Sequence, residues 1–192
     1  MTGKTTETFC PASRKDWREW LLKHHDTKQS VWLICYKTKA NKPTISWSDA
    51  VEEALCFGWI DSVRKTIDEE SFIQFFSRRK TNSGWSKINK AKVEQLAALG
   101  LMAPAGIACI ERAKTNGSWT ILDEVEELSI PADLTAAFEI TKGSEAFFNG
   151  LSKSIRKAML QWITLAKRPE TRQKRIAELV ELASQNKKPK QF

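Results

Sequence analysis

The chain has 192 residues, 41% hydrophobic and 28% charged, with 8 Trp and 9 Phe, a composition that excludes wholesale disorder and supplies bulky core material. No run approaches the length of a membrane span, the longest apolar runs being 31–36 and 54–60, and residues 1–15 hold no stretch that could serve as the apolar region of a signal peptide. The net charge of +8 lies entirely in residues 153–192, with 11 basic and 3 acidic side chains; residues 1–152 balance at 20 of each, and residues 123–152 hold seven acids against Lys142 alone.

Ser13 followed by Asp16 is a capping-box-like start, after which Trp17, Trp20, Leu21 and His24 share one face, so a first helix is predicted to about His25. Residues 31–37 are short, apolar and rich in β-branched and aromatic side chains, which predicts a buried strand. Ile45, Ser46 and Asp49 open a second helix that Gly58 ends. Residues 59–67 and 71–77 flank Asp68-Glu69-Glu70 with near-alternate apolar side chains, predicting a β-hairpin. A polar loop over 78–84 leads to a helix over 85–99, with Ser83 to Ser86 as turn and cap, and Pro104 opens another that Asn116-Gly117 closes.

Beyond Ile130 the pattern is helical, over 131–140, 144–149, 152–167 and 169–185. The expected fold class is α+β: a small antiparallel sheet packed with helices over residues 1–122, then an acidic connection and an all-helical module over 123–192. Cys10, Cys35, Cys56 and Cys109 are far apart and form no C-x-x-C pair, so they read as reduced thiols. With only His24 and His25 beside them, no metal site and no cofactor are expected. Neither a P-loop, a G-x-G-x-x-G nor a G-x-S-x-G occurs.

Several stretches resemble a known family: Ser48 to Asp61, Phe76 to Lys80, Ser83 to Asn89, Gly100-Leu101-Met102 and Ala166 to Arg175. Together, over nearly the full length, they look like the bacterial YdeI/OmpD-associated, or bacteriocin-protection, family. The resemblance implies an α+β N-terminal part, a helical C-terminal domain, a role in tolerance of antimicrobial peptides or envelope stress, and no established catalysis. Where the family pattern has Pro after the Ser or Thr of the Phe76 motif, this chain has Arg78. The family label also implies periplasmic association with a porin, whereas the residue 1–15 composition points to the cytoplasm.

Two candidate sites follow from the residues themselves. In the first, Arg64, Lys65, Arg78, Arg79, Lys80, Lys87, Lys90 and Lys92 interleave with Trp59, Phe76 and Trp85, giving +5 over residues 64–92. Cations that neutralise phosphate beside rings that stack predict a surface for an anionic ligand or nucleic acid, with Trp59, Asp61, Arg78, Arg79, Lys80, Trp85 and Lys87 as ligand-binding residues. The plainer alternative is a solvated loop beside core tryptophans. In the second, Lys167, Arg168, Thr171, Arg172 and Arg175 crowd a helix N-terminus opened by Pro169, where cations oppose the macrodipole. Either an external anion or the chain's own acids at Asp123, Glu124, Glu126 and Glu127 must answer them, and the direction of Arg172 and Arg175 decides between the two.

Cys56 with His24 as base and Asp61 as orienter would be a nucleophilic trio, but Cys56 follows the buried period of Ala54 and Leu55. The leading expectation is therefore a cytoplasmic, non-enzymatic binding or stress-tolerance protein engaging an anionic partner. The alternatives are a small-ligand enzyme with a pocket around Trp59, Asp61, Arg78 and Trp85, or a module that docks another protein.

Overall fold

The computed structural model of the chain describes residues 7–192 and divides into two compact units. One runs to Ser83 and resumes over Ile88–Gly117; the other comprises Gly84–Lys87 and Ser118–Phe192. The acidic stretch at which the sequence reading divides the chain begins five residues beyond that boundary, because Leu122 is buried in the helical unit's core.

The first unit holds β1 (Thr8–Phe9), α1 (Arg14–His24), β2 (Ser30–Tyr36), α2 (Trp47–Cys56), β3 (Trp59–Thr66), β4 (Ser71–Arg78), most of α3 (Lys87–Ala98) and α4 (Pro104–Thr115). Local chemistry sets the helix starts. Ser13 Oγ accepts from Asp16 N at 3.2 Å while Asp16 Oδ2 accepts from Ala12 N at 3.0 Å, and Ser46 Oγ accepts from Asp49 N at 3.1 Å, so donors that the first turns leave over are satisfied. The hairpin turn is held by Asp68, whose Oδ1 accepts from the backbone N of Glu70 and of Ser71.

The sheet has the order β1-β2-β4-β3. Strands β2, β4 and β3 are antiparallel, as expected; β1 pairs parallel to β2 at Thr8↔Trp32 and Phe9↔Leu33, so the sheet is mixed at one edge. Val31, Leu33 and Cys35 of β2 and Phe72, Gln74 and Phe76 of β4 pair across the face that is buried. Trp17 reaches this core from α1, its ring 5.4 Å from that of Phe76 and its indole N–H donating to Ala50 O at 3.0 Å. Each ring of this size removes roughly 150–250 Å² from water, worth on the order of 4–6 kcal/mol before entropy is counted.

The turn from α2 into β3 requires Gly58 in the left-handed region, φ +72°, and α4 packs directly over it. Any Cβ at Gly106 would lie 2.2 Å from Cys56 O, so only glycine lets α4 approach the end of α2 this closely.

The second unit contains α5 (Asp123–Glu126), α6 (Ala132–Ile140), α7 (Ser144–Gly150), α8 (Lys153–Thr164) and α9 (Pro169–Ser184). Its core gathers Leu134, Phe138, Phe148, Met159, Leu160, Ile163 and Leu179, with Val125 from the acidic segment and Leu122 just before it. That segment is thus a helical turn with one apolar side chain inserted, where the sequence predicted only a connection. Among the described residues no helix is long and apolar enough to cross a membrane.

Candidate functional site

At the end of the hairpin where β4 leaves the sheet, a cavity of about 240 Å³ lies between the α1–β2 turn, the α2–β3 turn and α4. The α1 end contributes His25 and Asp26, the glycine turn Phe57 and Trp59, the end of β4 Arg78 and Arg79, and one face of α4 Ala105, Ala108, Cys109 and Arg112. The α4 residues fall at helical spacing on a single face, so packing that face over Gly58 also carries Arg112 to the cavity.

The walls are held by hydrogen bonds. Trp59 Nε1 donates to His25 O at 3.2 Å, and Arg79 N donates to Gly58 O at 2.9 Å. His25 Nδ1 meets Leu21 O at 2.9 Å, which places the proton on Nδ1. Arg78 Nε donates to Lys28 O at 2.9 Å, whereas its Nη2 is buried with no hydrogen-bond partner among the described residues. Burial pushes the Arg79 guanidinium down to about 10, with the field of Cys109 and Asp61 opposing that shift; it remains a cation at neutral pH. Three guanidinium groups therefore line a small cavity whose one carboxylate is the exposed Asp26. Such an arrangement can hold an anionic group through charge-assisted hydrogen bonds.

Of the seven residues expected at the first site, the structure brings Trp59, Arg78 and Arg79 together. Asp61 is not among the cavity's walls: its Oδ2 accepts from Trp47 Nε1 at 3.0 Å and from Gln74 Nε2 at 3.2 Å, while its charge still acts on Arg79. Lys80 is exposed beyond the strand end, and Trp85 and Lys87 belong to the helical unit. There Trp85 lies 5.0 Å from the Trp119 ring, and Lys87 Nζ reaches Glu127 at 3.2 Å. His25 and Arg112 were not singled out as site residues; the helical spacing of Ala105, Ala108 and Arg112 was the available signal.

At the second site, Arg172 holds Asp133 in a two-pronged pair, Nε to Oδ2 at 2.6 Å and Nη2 to Oδ1 at 2.8 Å. Arg175 donates to Trp162 O and lies 5.1 Å over the Trp162 ring. Neither reaches Asp123 to Glu127; Glu126 is instead paired with Lys157 and accepts from Lys87 N. Thr171 is half-buried, and Lys167 and Arg168 are exposed.

The nucleophilic trio is not assembled. Cys56 is fully buried, burial and the Glu53 charge push its thiol up, and the cation beside it is Arg18. The His24 ring instead lies 4.9 Å from that of Trp20, tilted against it. Glu53, itself 3% exposed, accepts from Arg14 Nε at 2.6 Å and Arg18 Nη1 at 2.7 Å, so this carboxylate is fully engaged. Among the described residues no three His, Cys, Asp or Glu side chains gather as for a metal ion.

Residues 127–186 match the family "Bacteriocin-protection, YdeI or OmpD-Associated", and residues 9–109 match a different one, "Domain of unknown function (DUF8412)". The motifs from Ser48 to Met102 that carry the resemblance noted above fall in the latter segment, and Ala166 to Arg175 in the former. No curated protein and no solved structure matches the chain. With residues 9–109, more than half of its length, in the DUF8412 match, the chain belongs to that family, and its residues 127–186 are similar to the bacteriocin-protection, YdeI or OmpD-associated family.

Proposed function

We propose that this chain is a cytoplasmic, non-enzymatic binding protein of the protection type, and that it engages an anionic partner through the cavity lined by Arg78, Arg79 and Arg112. The observation that carries the reading is the convergence of those three guanidinium groups on about 240 Å³ with Asp26 as the cavity's only carboxylate. Cations of like sign repel one another across such a space, and an anion entering it relieves that repulsion while supplying acceptors to Arg78. Trp59 and Phe57 give the cavity apolar walls that strengthen each charge-assisted bond. Three buried unpaired thiols, Cys35, Cys56 and Cys109, suit a reducing compartment. The raised Cys56 thiol and the engagement of Asp61 by Trp47 and Gln74 support binding over catalysis.

Calorimetric titration with inorganic phosphate and with a short single-stranded oligonucleotide, at about 50 and 200 mM salt, tests the reading. Arg78→Gln and Arg112→Gln are each expected to weaken binding by about tenfold or more, since a charge-assisted bond is worth roughly 1.5–3 kcal/mol. Retention of parental affinity by both variants, or no binding of either anion at low salt, sinks the proposal.

A further inference from the structure

A second and larger cleft, of about 890 Å³, lies elsewhere in the same unit, between the β2–α2 loop, the first residue of α2 and the inner edge of the hairpin. Its walls include Tyr36, Lys42, Trp47, Arg64 and Phe72, and it shares no residue with the Arg78 cavity. The volume lies in the range of sites that take drug-sized ligands, well above what a lone phosphate fills.

Two features of this cleft are built, and neither serves the core. Trp47 is 50% exposed, a costly position for the largest apolar side chain, yet its indole is fixed by donation to Asp61, whose same oxygen is held by Gln74. A ring so held is a stacking surface that has already lost its rotamer freedom. Opposite it, Arg64 lies with its guanidinium 3.7 Å from the centre of the Phe72 ring. Arg64 forms no ion pair or hydrogen bond with any described residue, so the N–H edges of the stacked plane are uncommitted.

The placement of Arg64 depends on a fault in the ladder. Asp61 pairs with Phe76 and Arg64 with Gln74, so three steps along β3 match two along β4 and one extra residue bulges out. In regular pairing Asp61 and Arg64 would point to opposite faces; the bulge returns Arg64 to the face that carries Asp61, Gln74 and Phe72. It thereby sets a cation and a pinned indole on one cleft. The other cations there are engaged, Lys42 by Glu70 at 2.7 Å and Lys37 by Asp68 O at 3.0 Å, which leaves Arg64 as the anion-seeking group.

We infer that this cleft is a nucleotide-binding site, in which a base stacks on Trp47 and a phosphate takes the open edge of Arg64. A flat ring and an anion on one ligand match a fixed indole and a fixed guanidinium, and base stacking on an aromatic side chain is worth on the order of 1–3 kcal/mol. The same chemistry is offered by a free mononucleotide and by a nucleotide within a single strand. The site stands independently of the Arg78 cavity.

The full chain is titrated at low salt with adenosine monophosphate, with a homopolymeric single strand of about ten nucleotides, and with inorganic pyrophosphate, for the parent and the variants Trp47→Ala, Trp47→Phe and Arg64→Gln. Nucleotide binding is expected to fall about tenfold or more in Trp47→Ala and Arg64→Gln and to recover largely in Trp47→Phe. Binding of the strand alone, with the same dependence on Trp47 and Arg64, assigns the ligand to single-stranded nucleic acid; binding of the mononucleotide assigns it to the free form. The inference is overturned if Trp47→Ala and Arg64→Gln both keep parental affinity, if pyrophosphate binds as tightly as the nucleotide with the same dependence on Arg64, or if neither nucleotide probe binds.

Discussion

Residues 153–192 hold a surplus equal to the whole net charge of the chain, yet their best-placed cations are answered from within the helical unit: Arg172 by Asp133, Lys157 by Glu126, and Arg175 by the Trp162 carbonyl and ring. The sheet unit carries a net charge of +5 against +3 for the helical unit, and there Arg64 lies over the Phe72 ring while Arg78 and Arg112 line a cavity, none of the three in an ion pair with a described residue. Net charge along a chain therefore says little about where an anion will go. The deciding quantity is whether a given cation meets a carboxylate of its own fold, and on that measure the candidate binding groups lie in the sheet unit, away from the basic run of residues 153–192.

The sheet unit has structural charges of its own, and they provide the strongest test of the distinction. Glu53 is buried between Arg14 and Arg18, and Arg18 also donates to Leu101 O at 2.8 Å. Glu53→Ala leaves two guanidinium groups without their shared acceptor, and a loss of about 3 kcal/mol in urea unfolding is expected. Arg78→Gln, by contrast, is expected to leave stability within about 0.5 kcal/mol of the parent. If the two variants unfold alike, engaged and ligand-facing cations are not distinct classes in this unit.

A smaller effect is expected at Asp133 in the helical unit. The hydrogen bond from Arg172 holds the Asp133 carboxyl below its ordinary range, against the opposing effect of burial. With the folded value below the unfolded one, near 4, the pair stabilises the fold above that pH, and the contribution fades as pH falls through the folded value. Both partners are partly exposed, so the pair is worth about 1 kcal/mol or less. Asp133→Asn should be less stable than the parent above about pH 5 and indistinguishable from it near pH 2, as read from urea unfolding. A gap that persists at pH 2 would mean that the substitution acts through packing.

What could be read in the sequence was what neighbouring residues decide. The caps at Ser13 and Ser46, the hairpin about Asp68 and the Pro169 helix start each rest on chemistry within a few residues. Strand β1 has two residues and thus no period to detect. Arg78, Arg79 and Trp59 could be grouped because the hairpin joins them, whereas Arg112 arrives through the packing of α4 over Gly58, a long-range contact that no local pattern announces. The bulge that turns Arg64 toward Trp47 was equally hidden, since one extra residue in β3 leaves the alternation looking merely imperfect. At the second site Arg172 meets Asp133 and not the acids at Asp123 to Glu127 that the sequence offers, since spacing alone does not say which carboxylate the fold brings to α9.

The smallest predicted effect has the opposite sign. Arg168 is the N-cap of α9, makes no side-chain cap hydrogen bond, and sets a positive charge, with Lys167 beside it, against the positive end of the helix. Glu170 in the first turn offsets part of that repulsion. Arg168→Ser removes the charge and supplies a hydroxyl that can accept from the first turn, so the variant should gain about 0.5–1 kcal/mol. Thermal unfolding read by circular dichroism should show that gain equally with and without phosphate. If Lys167 and Arg168 instead hold an external anion, phosphate stabilises the parent and not the variant, and the gain shrinks or reverses as phosphate is added. Such a reversal would place an anion site in the helical unit after all and remove the contrast between the two units; an unchanged gain leaves these exposed cations as a cost to α9 that nothing bound there repays.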